Sequence, residues 1–340
     1  MAVTAQDPKL ERKSRLTASL RFFITISLAL GISALIGDQQ IGGFAALGGF
    51  MALLSDTEST LKSRLGGLLL TFLGVLAAAG VGLALNHLAF GEWLILAAAC
   101  FGQSLMTFAE KFWWLWGKYV LVFLLISVFD FSPNLAAFIG YAMGFSLAAL
   151  VVVADHYVWR IEKLGPRLFD QLRMVEGGTR NTTAYGLISA LTMVTGLWLS
   201  TFIDMSEPGW VGITIIYILN SDVRSGFIRI LLRILGTVAG YFAVVLLMPH
   251  IPNLYVLGTV VVLASLGIPY FVGRNYALMQ FFITMYILFV LDWLMYAYGG
   301  DHSILIWRIW DTLLGAGCAS VGLFIYWLWT KRHSNTGISK

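Results

Sequence analysis

A chain of 340 residues has the length of about two soluble domains, yet 59% of it is hydrophobic and only 12% is charged. A soluble fold carries roughly twice that charged share, so the composition excludes a water-facing globular surface. The net charge of +4 is no nucleic-acid signal, and two cysteines inside apolar runs, Cys100 and Cys318, make no disulfide framework.

From the N-terminus, Lys9, Arg12, Lys13 and Arg15 precede an apolar run from about Leu16 to Gly37. That run is long enough to span a bilayer and further runs come after it, so it reads as the first of many helices and not as a cleaved leader. Twelve apolar segments are expected: 17–37, 41–54, 64–85, 91–109, 113–130, 134–157, 183–203, 209–220, 231–249, 254–272, 277–298 and 308–330. The second and eighth are short for a full crossing and read as broken or re-entrant, which lipid tolerates only where the backbone is shielded or lines a cavity. The stretch from Arg160 to Thr182 is the one extended polar connector. Leu164, Leu168 and Leu172 would share a face of a cytoplasmic amphipathic helix there, and the stretch is too short for a soluble catalytic domain. The expected fold is all-α and polytopic, with about 12 transmembrane helices. Residues 1–157 and 183–330 form two membrane halves, 158–182 the linker and 331–340 a tail.

Lysine and arginine placement sets the expected orientation. With the N-terminus inside, every basic residue except Arg308 falls in a cytoplasmic segment or at a helix end beside one. The opposite loops carry Asp38, Glu92, Asp204, Glu207 and Asp301. Both termini are then cytoplasmic, and the localisation expected is a bacterial inner membrane. Trp93, Trp113, Trp114, Trp159, Trp293, Trp307, Trp327 and Trp329 sit at segment ends, where amphipathic rings favour the interface.

Shifting the sequence by 166 residues aligns its halves without gaps over about sixty positions. Asp38 meets Asp204, Gly43-Phe44 meets Gly209-Trp210, Ser55-Asp56 meets Ser221-Asp222, and Thr71-x-x-Gly74 meets Thr237-x-x-Gly240. Further on, Lys118-Tyr119 resembles Asn275-Tyr276. Six helices per half make the halves parallel repeats, and pathways in such folds run along the repeat interface near the midplane.

The second half concentrates polar residues. Arg229 and Arg233 are four apart and share a helix face that Thr237 and Gly240 continue. Arginine suits two-point carboxylate binding, so this face reads either as an anion-attracting vestibule or as positive-inside anchoring with Asp222 as the arginines' partner. Asp56 and Asp222, each at the end of a short helix, would cap the next helix or hold arginines in place, Arg64 among them. Arg308 and Asp311, three apart, read as an internal ion pair or as a proton- or substrate-linked pair. Five histidines lie near segment ends without metal-ligand spacing. No phosphate-binding loop, metalloprotease motif or nucleophile elbow occurs, so neither an enzyme nor a cofactor is expected.

Gly209-Trp210, Thr214, Asp222, Arg229 and then Arg233-x-x-Gly236-Thr237-x-x-Gly240, closed by Arg308-x-x-Asp311-Thr312-x-x-Gly315, resemble the signature of the fusaric acid resistance protein-like family. That family lies within the aromatic acid exporter superfamily, which also holds the plant aluminium-activated malate transporters. The resemblance implies efflux or channelling of small organic, aromatic anions, with the proton motive force as energy source. The residues expected to contact substrate are Arg229, Arg233, Thr237, Trp210 and Thr214, and those expected in coupling or gating are Asp222, Asp56, Arg64, Arg308 and Asp311. Two departures stand out: Gly67 aligns with Arg233, and the large cytoplasmic domain of bigger members is replaced by about 25 residues. Lipid and an organic anion are the expected partners and nucleic acid is not. A homo-oligomer and a periplasmic adaptor stay open. An anion channel or a non-transporting scaffold are the rival readings.

Overall fold

Apolar runs of this length fold as helices because lipid offers no partner to a backbone N–H or C=O, and a helix satisfies both within one segment. The computed structural model describes residues 8–57, 59–85, 91–109, 111–130, 133–159, 168, 179–205, 207–296 and 304–334. Twelve α-helices occur among them: α1 Pro8–Ile36, α2 Gln39–Leu54, α3 Leu61–Leu85, α4 Gly91–Met106, α5 Lys111–Leu125, α6 Leu135–Trp159, α7 Thr179–Phe202, α8 Pro208–Ile218, α9 Val223–Leu247, α10 Leu254–Phe271, α11 Tyr276–Tyr296 and α12 Ile304–Ser334. A π turn, Ile126–Asp130, continues α5, and a 3-10 turn, Met248–His250, closes α9.

Nine of these helices are long and apolar enough to cross a membrane; α2, α4 and α8 are shorter. The shortness of α2 and α8 is the one expected from sequence. That of α4 is an addition: its apolar run continues to Ala109, but the helix stops at Met106 and the next three residues form tight turns on Ser104, Leu105 and Met106. Of the linker's three leucines, Leu164 and Leu172 lie outside the described residues. Leu168 is buried and doubly tethered, its N–H donating to Ser63 Oγ and its carbonyl accepting from Trp113 Nε1.

The chain divides into two compact units that interleave along the sequence. One contains α1, α2, α6, α10, α11 and the latter part of α9; the other contains α3, α4, α5, α7, α8, α12 and the first part of α9. In the first unit α1 packs on α2 and α10, α2 on α11, and α10 on α11. In the second, α7 packs on α8 and α4, α8 on α5, α4 on α5, and α12 covers α7 and α8. Each unit thus combines the first, second and sixth helices of one half of the chain with the fourth and fifth of the other, and pairs them in the same way.

The core of the first unit forms around α2, whose residues from Gly42 to Leu53 are all buried. Its glycines let three helices approach: a Cβ at Gly42 or Gly43 would meet Ser33, Trp293 or Leu294, and one at Gly48 would meet the backbone of Tyr141. Phe50 stacks on Tyr286 at 4.8 Å, and the Tyr286 hydroxyl donates to the Ala46 carbonyl at 2.8 Å. Trp293 Nε1 donates to the Gln39 carbonyl at 2.9 Å, and Asp38 Oδ1 accepts from Ile41 N–H, capping α2. A buried pair, Arg21 and Asp155, joins α1 to α6 at 3.4 Å.

The α6–α2 contact and the α12–α8 contact are built alike. A Cβ at Gly144 would meet the Ala45 carbonyl, and one at Gly315 would meet the Val211 carbonyl. Ala45 and Val211 are partners under the shift of 166 residues.

Candidate functional site

The second unit holds two groups of polar side chains inside its apolar packing, both reached by α8. Over its eleven residues α8 places Trp210, Thr214 and Tyr217 at i, i+4 and i+7, which is one helix face. Pro208 and Gly209 fill its first turn, where a missing N–H costs nothing.

At the C-terminal end of α8, Tyr217 meets cations from two other helices. Lys118 of α5 is 2% exposed, its Nζ lying 4.4 Å from the Trp114 ring centre and 5.4 Å from that of Tyr217. Arg233 of α9 is 7% exposed, and its guanidinium carbon lies 5.3 Å from the Tyr217 ring centre. Arg233 and Arg229 are both charged neighbours of Lys118. Rings attract cations through their negative faces, but such contacts are worth about 0.5–2 kcal/mol each and do not neutralise charge. Among the described residues no carboxylate forms an ion pair or hydrogen bond with Lys118. Two buried cations beside two rings, with Arg229 as a further charged neighbour of Lys118, make a site whose chemistry suits a delocalised anion with an apolar body. Arg233 stands ten residues into α9, about 15 Å along its axis, roughly half the thickness of a hydrocarbon core.

At the other end of α8, the Arg308 guanidinium carbon lies 3.0 Å from the Trp210 ring centre. Asp311, one turn further along α12, is 1% exposed, and among the described residues neither of its carboxylate oxygens receives a hydrogen bond. Thr214 is buried against Gly315. Arg308 and Asp311 are charged neighbours, with no hydrogen bond to either carboxylate oxygen among the described residues.

Asp56 and Asp222 occupy matching places and do different things. Asp56 accepts from Arg64 Nε at 2.9 Å and Nη2 at 2.6 Å, a buried clamp. Asp222 is exposed and caps α9: its carboxylate accepts from the Ser225 hydroxyl, and the Ser225 and Arg224 N–H groups also point to it. The Ser225 hydrogen bond, then the backbone N–H groups and the nearby Arg224, hold the Asp222 carboxyl below the ordinary carboxylate range. Thr237 is buried one turn beyond Arg233, in the part of α9 assigned to the other unit, and its hydroxyl has no hydrogen-bond partner among the described residues.

The residues singled out from sequence thus separate. Arg229 and Arg233 join Lys118 and Tyr217; Trp210 and Thr214 join Arg308, Asp311 and Gly315; Asp56 and Arg64 hold each other; Asp222 caps. Lys118 and Tyr217 were not among them. The signal that would have found Lys118 is a lysine six residues into the apolar segment 113–130, since an intramembrane charge is a functional candidate by default.

Residues 191–322 match the family model described as Fusaric acid resistance protein-like. No curated protein and no solved structure gives a match. The matched stretch runs from within α7 into α12 and includes all of α8 and α9, so it contains both arginines of the cation group and the Arg308–Asp311 turn. With nine helices among the described residues long and apolar enough to span, the chain is a multi-pass membrane protein, similar over residues 191–322 to the fusaric acid resistance protein-like family.

Proposed function

We propose that this protein is a secondary transporter that exports small organic carboxylate anions, aromatic ones among them, across a bacterial inner membrane. The observation that carries this reading is the convergence of Lys118 and Arg233 beside Tyr217 and Trp114, with Arg229 a charged neighbour of Lys118. A carboxylate entering this group would relieve repulsion between neighbouring like charges and accept charge-assisted hydrogen bonds, while an aromatic body finds rings to lie against. The site draws Lys118 and Trp114 from the first half of the chain and Tyr217, Arg229 and Arg233 from the second. That is what a pathway lined by two parallel repeats requires, and the matching helix pairings of the two units favour such repeats.

In this reading Arg229 and Arg233 bind substrate from the cytoplasmic side. Tyr217, Thr214 and Trp210 form a face along α8 toward the opposite side, Thr237 extends the arginine face of α9, and the Asp56–Arg64 clamp and the Asp222 cap fix the inner ends of α3 and α9. All twelve helices then cross or enter the bilayer, with α2, α4 and α8 partial, and both termini are cytoplasmic.

The test is flux. Purified protein in liposomes should take up radiolabelled phthalate, an aromatic dianion that crosses lipid poorly on its own. Arg233→Gln and Lys118→Gln should each reduce initial uptake at least tenfold. A channel would show phthalate current with no proton gradient. A scaffold would show no flux, and Arg233→Ala would leave cellular resistance to aromatic acids unchanged.

A further inference from the structure

We propose that Asp311 is a proton-binding site: the acid carries its proton while Arg308 lies on Trp210, and losing that proton draws Arg308 off the ring. Asp311 is buried to 1% exposure on α12, and among the described residues neither carboxylate oxygen has a donor. A bare carboxylate without hydrogen bonds in apolar surroundings is strongly disfavoured, and such groups take up a proton instead. Among the described residues the charged groups facing it from each packed element are few. On α12 the nearest is Arg308, whose guanidinium lies over Trp210. Helix α8 has none along its length, and just before it stands Glu207, a second acid and a charged neighbour of Asp311. Helix α7 has none from Thr182 to Phe202.

The first unit shows what this helix contact needs for packing alone. Gly144 and Gly315 are equivalent there, each against the carbonyl of a partner residue; four residues earlier stand Gly140 and Asp311 respectively. Gly140 lies so close to the Ile41 carbonyl and Phe44 that no side chain fits. Seven residues before the glycines stand Ala137 and Arg308. The second unit therefore carries an acid and a base at positions where the first carries almost nothing.

With its proton, Asp311 is neutral and Arg308 rests on the ring. On loss of the proton to water, the carboxylate sits three residues from Arg308 on the same face and draws the guanidinium into an ion pair. Trp210 is then released, on the same face of α8 as Tyr217 at the cation group. The step forms or breaks one O–H bond, with water as the proton donor or acceptor, and needs no other reactant. Proton binding rests on this geometry alone; its use in driving export rests on the transport reading.

Infrared difference spectroscopy on the reconstituted protein tests the site without any substrate. A protonated-carboxyl C=O band should be present in the wild type at neutral pH, absent in Asp311→Asn and restored at a shifted frequency in Asp311→Glu. An identical band in folded wild type and Asp311→Asn overturns the assignment. Should Asp311→Asn fail to fold, an unshifted band in Asp311→Glu overturns it. For the coupling, Asp311→Asn should lose phthalate accumulation driven by a pH gradient at least tenfold while retaining phthalate–phthalate exchange. Loss of both, or retention of both, overturns the coupling. A wild type that moves no phthalate at all overturns the transport reading for that anion and leaves the infrared result to decide the proton site.

Discussion

Arg64 holds Asp56 at two points, Nε to Oδ1 at 2.9 Å and Nη2 to Oδ2 at 2.6 Å, with only 5% and 3% of the two side chains exposed. A buried pair of this kind gives little net stability when intact, because both charges have left water, but removing one member strands the other. Asp56→Ala should cost about 3–5 kcal/mol, whereas Asp56→Ala combined with Arg64→Met should recover most of that loss. Thermal unfolding in one detergent, compared across the three proteins, checks the order.

Lys118 presents the reverse case. Its charged neighbours are Arg229 and Arg233, so its charge stores repulsion instead of relieving it. Lys118→Met should raise the melting temperature in the absence of anion, by an amount equivalent to about 1–2 kcal/mol, and at the same time abolish the rise that phthalate gives the wild type. Opposite signs in one variant separate a binding residue from a packing residue, as expected where stability is given up for function. A lower melting temperature with the phthalate response intact would count against the cation group as a binding site.

Glycines in the helices divide by what lies beside them. A Cβ at Gly144 would strike the Ala45 carbonyl and the Gly49 nitrogen, backbone atoms that cannot turn aside. Gly144→Ala should therefore cost about 1–3 kcal/mol through overpacking. Gly31 and Gly80 have nothing within 4 Å, and alanine there should stabilise by up to about 1 kcal/mol through helix propensity. The three variants can be ranked by melting temperature in a single experiment.

Asp222 supplies the pH test. Its carboxyl titrates below the ordinary carboxylate range because the Ser225 hydroxyl and the first N–H groups of α9 bond to the charged form. A lowered value in the folded state means that the cap stabilises fully above the unfolded carboxyl's titration and fades as pH falls through the folded one. Asp222→Ala should be less stable than wild type at neutral pH, and the two should converge as the buffer becomes acidic. Paired melts from pH 7 downward measure the gap, and a gap that widens in acid would contradict the cap.

Most of the helices could be read from the sequence because hydropathy records the burial of backbone in lipid, which is a local property. The end of α4 was not legible: Thr107, Phe108 and Ala109 are as apolar as the helix before them, and only the tight turns on Ser104, Leu105 and Met106 stop it. Spacing gave Arg308 and Asp311 as helix neighbours, but not that Trp210, a hundred residues earlier, takes the guanidinium. Likewise Arg229 and Arg233 were visible as one face, while Lys118 joins them only because α5 packs on α8. Asp56 and Asp222 looked equivalent under the repeat. Their difference lies in where the next helix begins: α9 starts at Val223, directly after Asp222, whereas α3 starts at Leu61, five residues beyond Asp56, and Arg64 reaches back to it.

The exchange of helices between units bears on biogenesis. When α1 and α2 leave the ribosome, the helices they pack against, α10 and α11, have not been synthesised. α4 and α5 likewise wait for α7 and α8. Neither half expressed alone has the contacts to finish a unit, so the nascent N-terminal half must persist in lipid as loosely held hairpins until the rest of the polypeptide arrives. A gene severed within the linker would have to supply both pieces to one cell for either to reach its mature form.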